Sequence, residues 1–318
     1  MHQNNLRDLV LLDPIRQGAE HLKIVSGYAT HTMASWHIKE IADQGLGPIA
    51  ITLVVGMCPF DGISEAVHQG FNRIVSRNNT ARQSTLTCQY VVEGAPTHSK
   101  LYVWEKNGVP FCAFMGSANY TQNAFSRSRR EIMQECDPHE AMQYFNTIER
   151  DTMYCNHAEI EDAVTIFPTH PILQAEESPL GSIRGSDVQS VTLSLLSSTG
   201  EMGRRSGLNW GQREGREPNQ AYIPLPAMIA RSGFFILGKQ HFSVLTDDGV
   251  NLVFRVEQQN DKAITTPLNN SLIGEYFRSR IGVANGAFVT KRDLENYGRT
   301  AVTFYKLDDE QYFMDFSI

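Results

Sequence analysis

The chain has 318 residues, 41% hydrophobic and 20% charged, with a formal net charge of −7 at pH 7. That length points to two domains, and that composition to a globular protein rather than a disordered or fibrous one. No apolar run reaches 18 residues, Met1–Asp8 lacks the apolar core of a signal peptide, and five Cys without a Cys-x-x-Cys argue against a disulfide framework and a zinc site. The expectation is a cytoplasmic protein with no membrane contact, no metal and no cofactor.

In chain order, 23–29 reads as a strand, 31–44 as a helix closed by Gly45, and 48–55 as a second strand. Asp61 is the expected cap of a helix running to about Ser76, followed by a strand over 86–92. Strands over 99–104 and 111–115 come next. Asp137 is then expected to cap a long helix from Pro138 to about Cys155. This alternation predicts an α/β sandwich with helices on both faces. Residues 156–187 are rich in Pro, Glu, Ser and Gly and read as a linker. Residues 131–187 hold twelve acids against two Arg, so an acidic connector is expected, one able to lie across a basic groove. Beyond it the pattern changes to short strands at 191–195, 221–225, 242–245 and 251–256. Asp247-Asp248-Gly249 is a hairpin signal, 270–280 reads as a helix, and 302–305 with 311–316 as a closing hairpin. This second half reads as a small β-barrel. The expected organisation is 1–155, a linker over 156–189, and 190–318.

The chemistry lies in the first half. His-x-Lys occurs three times, at His21, His37 and His98, where about 0.25 are expected by chance, so the tripeptide alone says little. Setting separates the three. His37 and Lys39 fall on a predicted helix, where i and i+2 diverge. His98 and Lys100 open a predicted strand, where i and i+2 share a face. His21 and Lys23 share a face too, but nothing like Gly-Ser-x-Asn follows them. After His98-Ser99-Lys100 comes an apolar strand, then Gly116-Ser117-Ala118-Asn119, then Glu131.

Together these residues resemble the phospholipase D superfamily of phosphodiesterases, whose pattern runs His-x-Lys, Gly-Ser-x-Asn, then an acid. The resemblance implies a site of His98, Lys100, Ser117, Asn119 and Glu131. One departure is Glu105, where many members carry a structural Asp. Lys100 and Asn119 would stabilise charge on the phosphate oxygens, His98 would attack phosphorus, and Glu131 would hold the imidazole and set its tautomer. A second His must protonate the leaving oxygen. The chain offers one complete motif, so a symmetric homodimer is expected to supply it.

The second half holds a long polar arm, Arg204 to Asn219, with four Arg (204, 205, 213, 216) and one acid through position 216. Loops of that length are usually functional or disordered. Arg suits guanine, and Asn or Gln suits adenine, in the major groove. Arg204, Arg205, Asn209, Trp210, Gln212, Arg213, Arg216 and Asn219 are therefore candidate DNA contacts. Gln258, Asn260 and Lys262 form a second polar segment, and Arg278 and Arg280 are candidate phosphate contacts.

With Asn209–Arg213 through Tyr222–Pro226 in view, the whole chain is similar to NgoFVII-type restriction endonucleases, and the resemblance extends to BfiI-like enzymes. It implies a phospholipase D-type nuclease joined to a B3-like DNA-binding pseudobarrel. It further implies type II cleavage of double-stranded DNA without a metal, through a covalent phosphohistidine, at a short G/C-rich site, with a cognate DNA methyltransferase as partner. The alternatives are a lipid phosphodiesterase of the same superfamily, which usually carries two motifs per chain, and a DNA-binding regulator with an inactive nuclease.

Overall fold

In the computed structural model the first half builds β1 (His21–Ser26), β2 (Ala50–Val55), the short β3 (Ile63–Ser64), β4 (Thr85–Val91), β5 (Lys100–Lys106), β6 (Val109–Gly116), β7 (Met133–Cys136), β8 (Thr152–Tyr154) and β9 (Ile166–Phe167). The structure describes residues 1–77, 83–126, 129–167 and 188–318. Among these, seven strands form one sheet in the order β7-β6-β5-β1-β2-β4-β8. β1, β2 and β4 run parallel, and each becomes fully buried over its second half, as strands covered on both faces do. β5 pairs antiparallel with β1, and β6 antiparallel with β5. The amino end of β5 and the carboxyl ends of β1 and β6 therefore meet at one edge of the sheet.

Three long helices cover this sheet. The first, α1 (His31–Asp43), is capped by Thr30, whose hydroxyl accepts from Met33 N at 3.3 Å. The second, α2 (Glu65–Ser76), is capped by Ser64 and not, as expected, by Asp61. Asp61 instead ends a separate helical turn, Cys58–Asp61, closed by Gly62 at φ +68°. The third, α3 (Pro138–Glu149), has the expected cap: Asp137 Oδ1 accepts from the amides of His139 and Glu140 at 2.9 Å. It is shorter than its sequence indicates, because residues 152–154 pair with β4 as edge strand β8. Phe145 on α3 is fully buried against Val25, Val54, Leu101 and Val103, a burial that stabilises by about 3 kcal/mol.

The chain divides into two compact units, Met1–Thr169 and His170–Ile318. Residues 156–167, expected within the linker, belong to the first unit. Ile160 and Val164 are buried, and β9 pairs in parallel with β3. The two buried side chains and this strand pair fasten it to the first unit. The rest of that linker, 168–187, lies outside the described residues.

The second unit contains β10 (Ser190–Ser194), β11 (Ile223–Pro224), β12 (His241–Thr246), β13 (Asn251–Glu257), β14 (Ala263–Thr265), β15 (Ala301–Lys306) and β16 (Gln311–Asp315). Their order is β10-β15-β16-β12-β13-β14-β11, and the edge strands β10 and β11 approach each other, so the sheet is nearly closed. The barrel core is aromatic. Phe242 and Tyr312 lie 4.9 Å apart, and Phe234 and Phe235 4.8 Å apart, in edge-to-face contacts. Gly249 at φ +81° makes the expected β12–β13 turn. The two longest helices described in the unit are α4 (Leu272–Arg280) and α5 (Lys291–Tyr297), the latter with a Thr290–Asp293 capping box.

Candidate active site and nucleic-acid interface

The sheet edge where β1, β5 and β6 meet gathers the sequence motif. Lys100 is the first residue of β5 and pairs with Ser26, the last of β1. His98 stands just before the strand. Gly116 ends β6 beside it, carrying Ser117 and Asn119 into the same edge. Ligands of open α/β sheets bind outside the carboxyl ends of the parallel strands, and this is that edge.

Two glycines hold the backbone here. A Cβ on Gly27 would stand 2.9 Å from His98 Cδ2 and 3.4 Å from Lys100 Nζ. A Cβ on Gly56 would stand 2.0 Å from the carbonyl oxygen of Thr97. The amide of Gly27 donates to Ser99 O at 3.1 Å, and that of Thr97 to Gly56 O at 2.9 Å. The segment 97–99 is thus bonded to the ends of both β1 and β2.

Lys100 is buried, and its Nζ donates to His98 O at 2.6 Å. Burial lowers its pKa, and the Glu131 carboxylate opposes that shift. Asn119 Oδ1 accepts from Tyr28 N at 3.2 Å and from Ser26 Oγ at 3.4 Å. A backbone N–H can only donate, so the amide's orientation is fixed and its NH2 is left to donate elsewhere. Ser117 Oγ donates to Glu131, and Ile132 N donates to Ser117 Oγ at 3.0 Å. This revises the expected role of Glu131: within the chain its carboxylate is bonded to Ser117, not to His98. Among the described residues no hydrogen bond reaches the His98 ring nitrogens, and no three His, Cys, Asp or Glu side chains are grouped to hold a metal.

The other two His-x-Lys pairs are structural. His37 is fully buried, with Nδ1 3.0 Å from Tyr120 Oη and Nε2 3.1 Å from Leu11 O. Burial lowers its pKa to about 4. His21 Nδ1 and Lys23 Nζ face Glu105 at 2.9 and 3.9 Å, which gives Glu105 a structural task of its own.

The arm of the second unit is only partly an open surface. Asn209 is fully buried: its Nδ2 donates to Val289 O at 2.7 Å and Gly203 O at 3.0 Å, and its Oδ1 accepts from Val289 N at 2.8 Å. Asn219, also buried, accepts from Gly286 N at 2.7 Å. Gln212 donates to Gly286 O at 3.0 Å. Arg278 is expected at phosphate but is fully buried; it donates to the carbonyls of Ala287, Leu208, Gly274 and Pro218. Arg280 is bonded to Asp247 at 2.7 Å, to Tyr276 and Tyr297, and to Phe316 O. An irregular loop has backbone groups no ladder satisfies, and these amides and guanidinia satisfy them.

Arg204, Arg205, Arg213 and Arg216 remain exposed. Arg213 Nε donates to Arg205 O at 2.8 Å. Arg216 lies 3.9 Å over the ring of the half-buried Trp210 and donates to Gln220 at 3.0 Å. Gln258, Asn260 and Lys262 are exposed in the β13–β14 turn, Gln258 and Asn260 at positive φ. That turn leads into β14 and the arm leads into β11. Those strands are antiparallel, so the two polar segments enter the ladder from opposite ends.

Comparison with known proteins accounts for both units. Residues 4–162 match the family model of the NgoFVII restriction endonuclease N-terminal PLD domain, and 183–308 that of the NgoFVII C-terminal B3-like DNA-binding domain. The chain belongs to the NgoFVII restriction endonuclease family. Its sheet with helices on both faces is the PLD domain of that family, and its nearly closed barrel is the B3-like domain. Solved structures similar to the NgoFVII-type chain include a phospholipase D family member, Nuc from Salmonella typhimurium, at 14% identity over 46% of this chain and 89% of that one, with a TM-score of 0.34. NucT from Helicobacter pylori is 16% identical over 48% and 91%, with a TM-score of 0.28. No curated protein matches the chain significantly. Among the described residues no helix is long and apolar enough to cross a membrane.

Sequence reasoning missed Ser26, Gly27, Tyr28 and Gly56, which hold the motif residues. Their only signal was position, directly after the apolar strands β1 and β2.

Proposed function

We propose that this chain is a type II restriction endonuclease that hydrolyses DNA phosphodiesters without a metal ion, at a short G/C-rich site read by its second unit. The observation that carries the reading is the meeting of His98, Lys100 and Asn119 at one sheet edge, with Asn119 Oδ1 already bonded and its NH2 left to donate.

A neutral His98 attacks phosphorus through a ring nitrogen. An N–P bond forms, the P–O bond to a deoxyribose oxygen breaks, and that oxygen takes a proton from His98 of the partner subunit. Water then attacks phosphorus and gives its proton to the partner's His98. The N–P bond breaks, and His98 is regenerated. Lys100 supplies at the phosphate the positive charge that a metal ion supplies in other nucleases. Asn119 donates to a non-bridging oxygen, and Ser117 with Glu131 fixes the turn that presents Asn119. The partner's His98 comes from a homodimer formed through the first unit.

On DNA, the exposed Arg204, Arg205, Arg213, Arg216, Gln258, Asn260 and Lys262 make the contacts. Buried Asn209, Asn219 and Arg278 hold the arm that carries them. Guanine-rich reading suits an arm whose exposed polar groups are mostly Arg. A methyltransferase acting on the same site protects the host genome.

The test is digestion of a plasmid of known sequence in EDTA, followed by sequencing of the ends. Discrete ends at a repeated sequence are expected. Strict dependence on Mg2+ overturns the mechanism, and random ends overturn the site specificity.

A further inference from the structure

A histidine that works as a nucleophile is ordinarily held by a hydrogen bond to its second ring nitrogen. His98 has none within the described residues, and Glu131, the expected holder, is bonded to Ser117. The ring is instead flanked by Gly27 and by the aromatic ring of Tyr28. Gly27 leaves no room for a Cβ against His98 Cδ2. The Tyr28 ring meets the imidazole nearly edge-on, with centroids 5.7 Å apart and planes at 78°. Tyr28 is itself held at both ends. Its amide donates to Asn119 Oδ1, and its hydroxyl donates to Asp61 Oδ2 at 2.5 Å. The bond to Asp61 raises the phenol's pKa above its ordinary value of 10.0. Asp61 is anchored in turn. It ends the helical turn Cys58–Asp61, and the following Gly62 has no room for a Cβ against Thr165 O.

We propose that Tyr28, tethered by Asp61, is a positioning residue that orients the His98 imidazole through its ring. This rests on the reading of His98 as the nucleophile. It explains why a tyrosine stands partly exposed at this edge, and why an acid on the β2 side is bonded to it. Edge-to-face ring contacts are worth roughly 0.5–1.5 kcal/mol. That is enough to select one ring orientation in an otherwise exposed side chain.

The test uses the full-length protein and two substrates, a supercoiled plasmid that the wild-type protein cuts and bis(p-nitrophenyl) phosphate, which needs no sequence recognition. Tyr28→Leu removes the ring and is expected to lower kcat roughly 10- to 100-fold on both substrates, with KM and plasmid affinity unchanged, since small misplacements of reacting groups cost that much. Tyr28→Phe keeps the ring and loses the tether, so a loss of only a few-fold is expected. Asp61→Ala should match Tyr28→Phe, the double variant should be no worse than either, and Asp61→Asn, which still accepts, should restore the rate. An unchanged kcat in Tyr28→Leu overturns the proposal, as does a raised KM with kcat intact, which makes Tyr28 a substrate contact. Additive losses in the double variant break the tether. His98→Ala is run beside them. Turnover surviving in it refutes the nucleophile itself, whereas an inactive His98→Ala with a normal Tyr28→Leu refutes the positioning alone.

Discussion

The motif edge of the first unit and the polar arm of the second treat their polar side chains in opposite ways. At the edge, the motif side chains converge on one place, with backbone and glycine contacts behind them and the His98 ring, the proposed nucleophile, left exposed. In the arm and its surroundings, Asn209, Gln212, Asn219, Arg278 and Arg280 turn inward onto backbone groups and an aspartate, and only part of the polar surface faces out. The difference is one of chemistry. Phosphodiester hydrolysis fixes residue type and spacing together. Arg, Asn and Gln fix neither, because the donors that read a base edge are equally good at satisfying a stranded carbonyl.

The comparison can be broken from either side, and the largest effect is expected at the edge. His98→Ala should lower plasmid cleavage by at least roughly 10³-fold while DNA affinity and the denaturation midpoint stay unchanged. Loss of stability alongside activity would make His98 structural. Arg278→Ala should do the reverse, costing about 3 kcal/mol or more of stability in urea unfolding, because it strands several buried carbonyls. A stable Arg278→Ala protein with weakened DNA binding would return Arg278 to the contact set.

The nuclease unit also has an inward polar group without bonds. His31 is fully buried, its ring nitrogens have no hydrogen-bond partner among the described residues, and burial lowers its pKa to about 3. Its folded pKa lies below the unfolded 6.5, so the unfolded chain binds the proton first. The stability this represents is present above pH 6.5 and is lost as pH falls toward about 3. His31→Leu should therefore lose about 2 kcal/mol less than wild type between pH 7 and pH 5, measured by urea unfolding at each pH. An unchanged slope would show that His31 already finds a proton partner.

Smaller effects are expected on the outer face of the arm. Arg216→Ala should cost about 1–3 kcal/mol of DNA affinity and relax the site at one base position, with stability unchanged. Lys262→Ala should weaken binding uniformly and reduce the salt slope by about 1. Equal effects from the two would remove the distinction between base reading and phosphate contact.

The sequence was most legible where local rules and chemistry agreed. Strands β1, β2, β4, β5 and β6, the Asp137 cap and the Asp247–Gly249 hairpin follow from apolar runs and turn residues. So does the meeting of His98 with Ser117 and Asn119, which needs only an antiparallel β5–β6 pair. Asp61 was misread because Ser64, three residues on, is an equally good cap, and no local rule ranks them. The helix after Asp137 was read too long because edge strand β8 is fixed by β4, some sixty residues away. The inward turn of Arg278 was invisible because the carbonyls it satisfies come from four separate places in the chain. The Tyr28–Asp61 contact joins two loops that composition does not distinguish from ordinary turns.

The central claim, a shared metal-free centre built on His98, is tested most directly by catching the intermediate. The protein is mixed with cleavable plasmid in EDTA, stopped within the first turnover in alkaline denaturant to preserve an acid-labile N–P bond, and mapped by mass spectrometry. The account predicts a DNA–protein adduct on His98, at one adduct per dimer. Cleavage that stops in EDTA, or an adduct on any other residue, would contradict it.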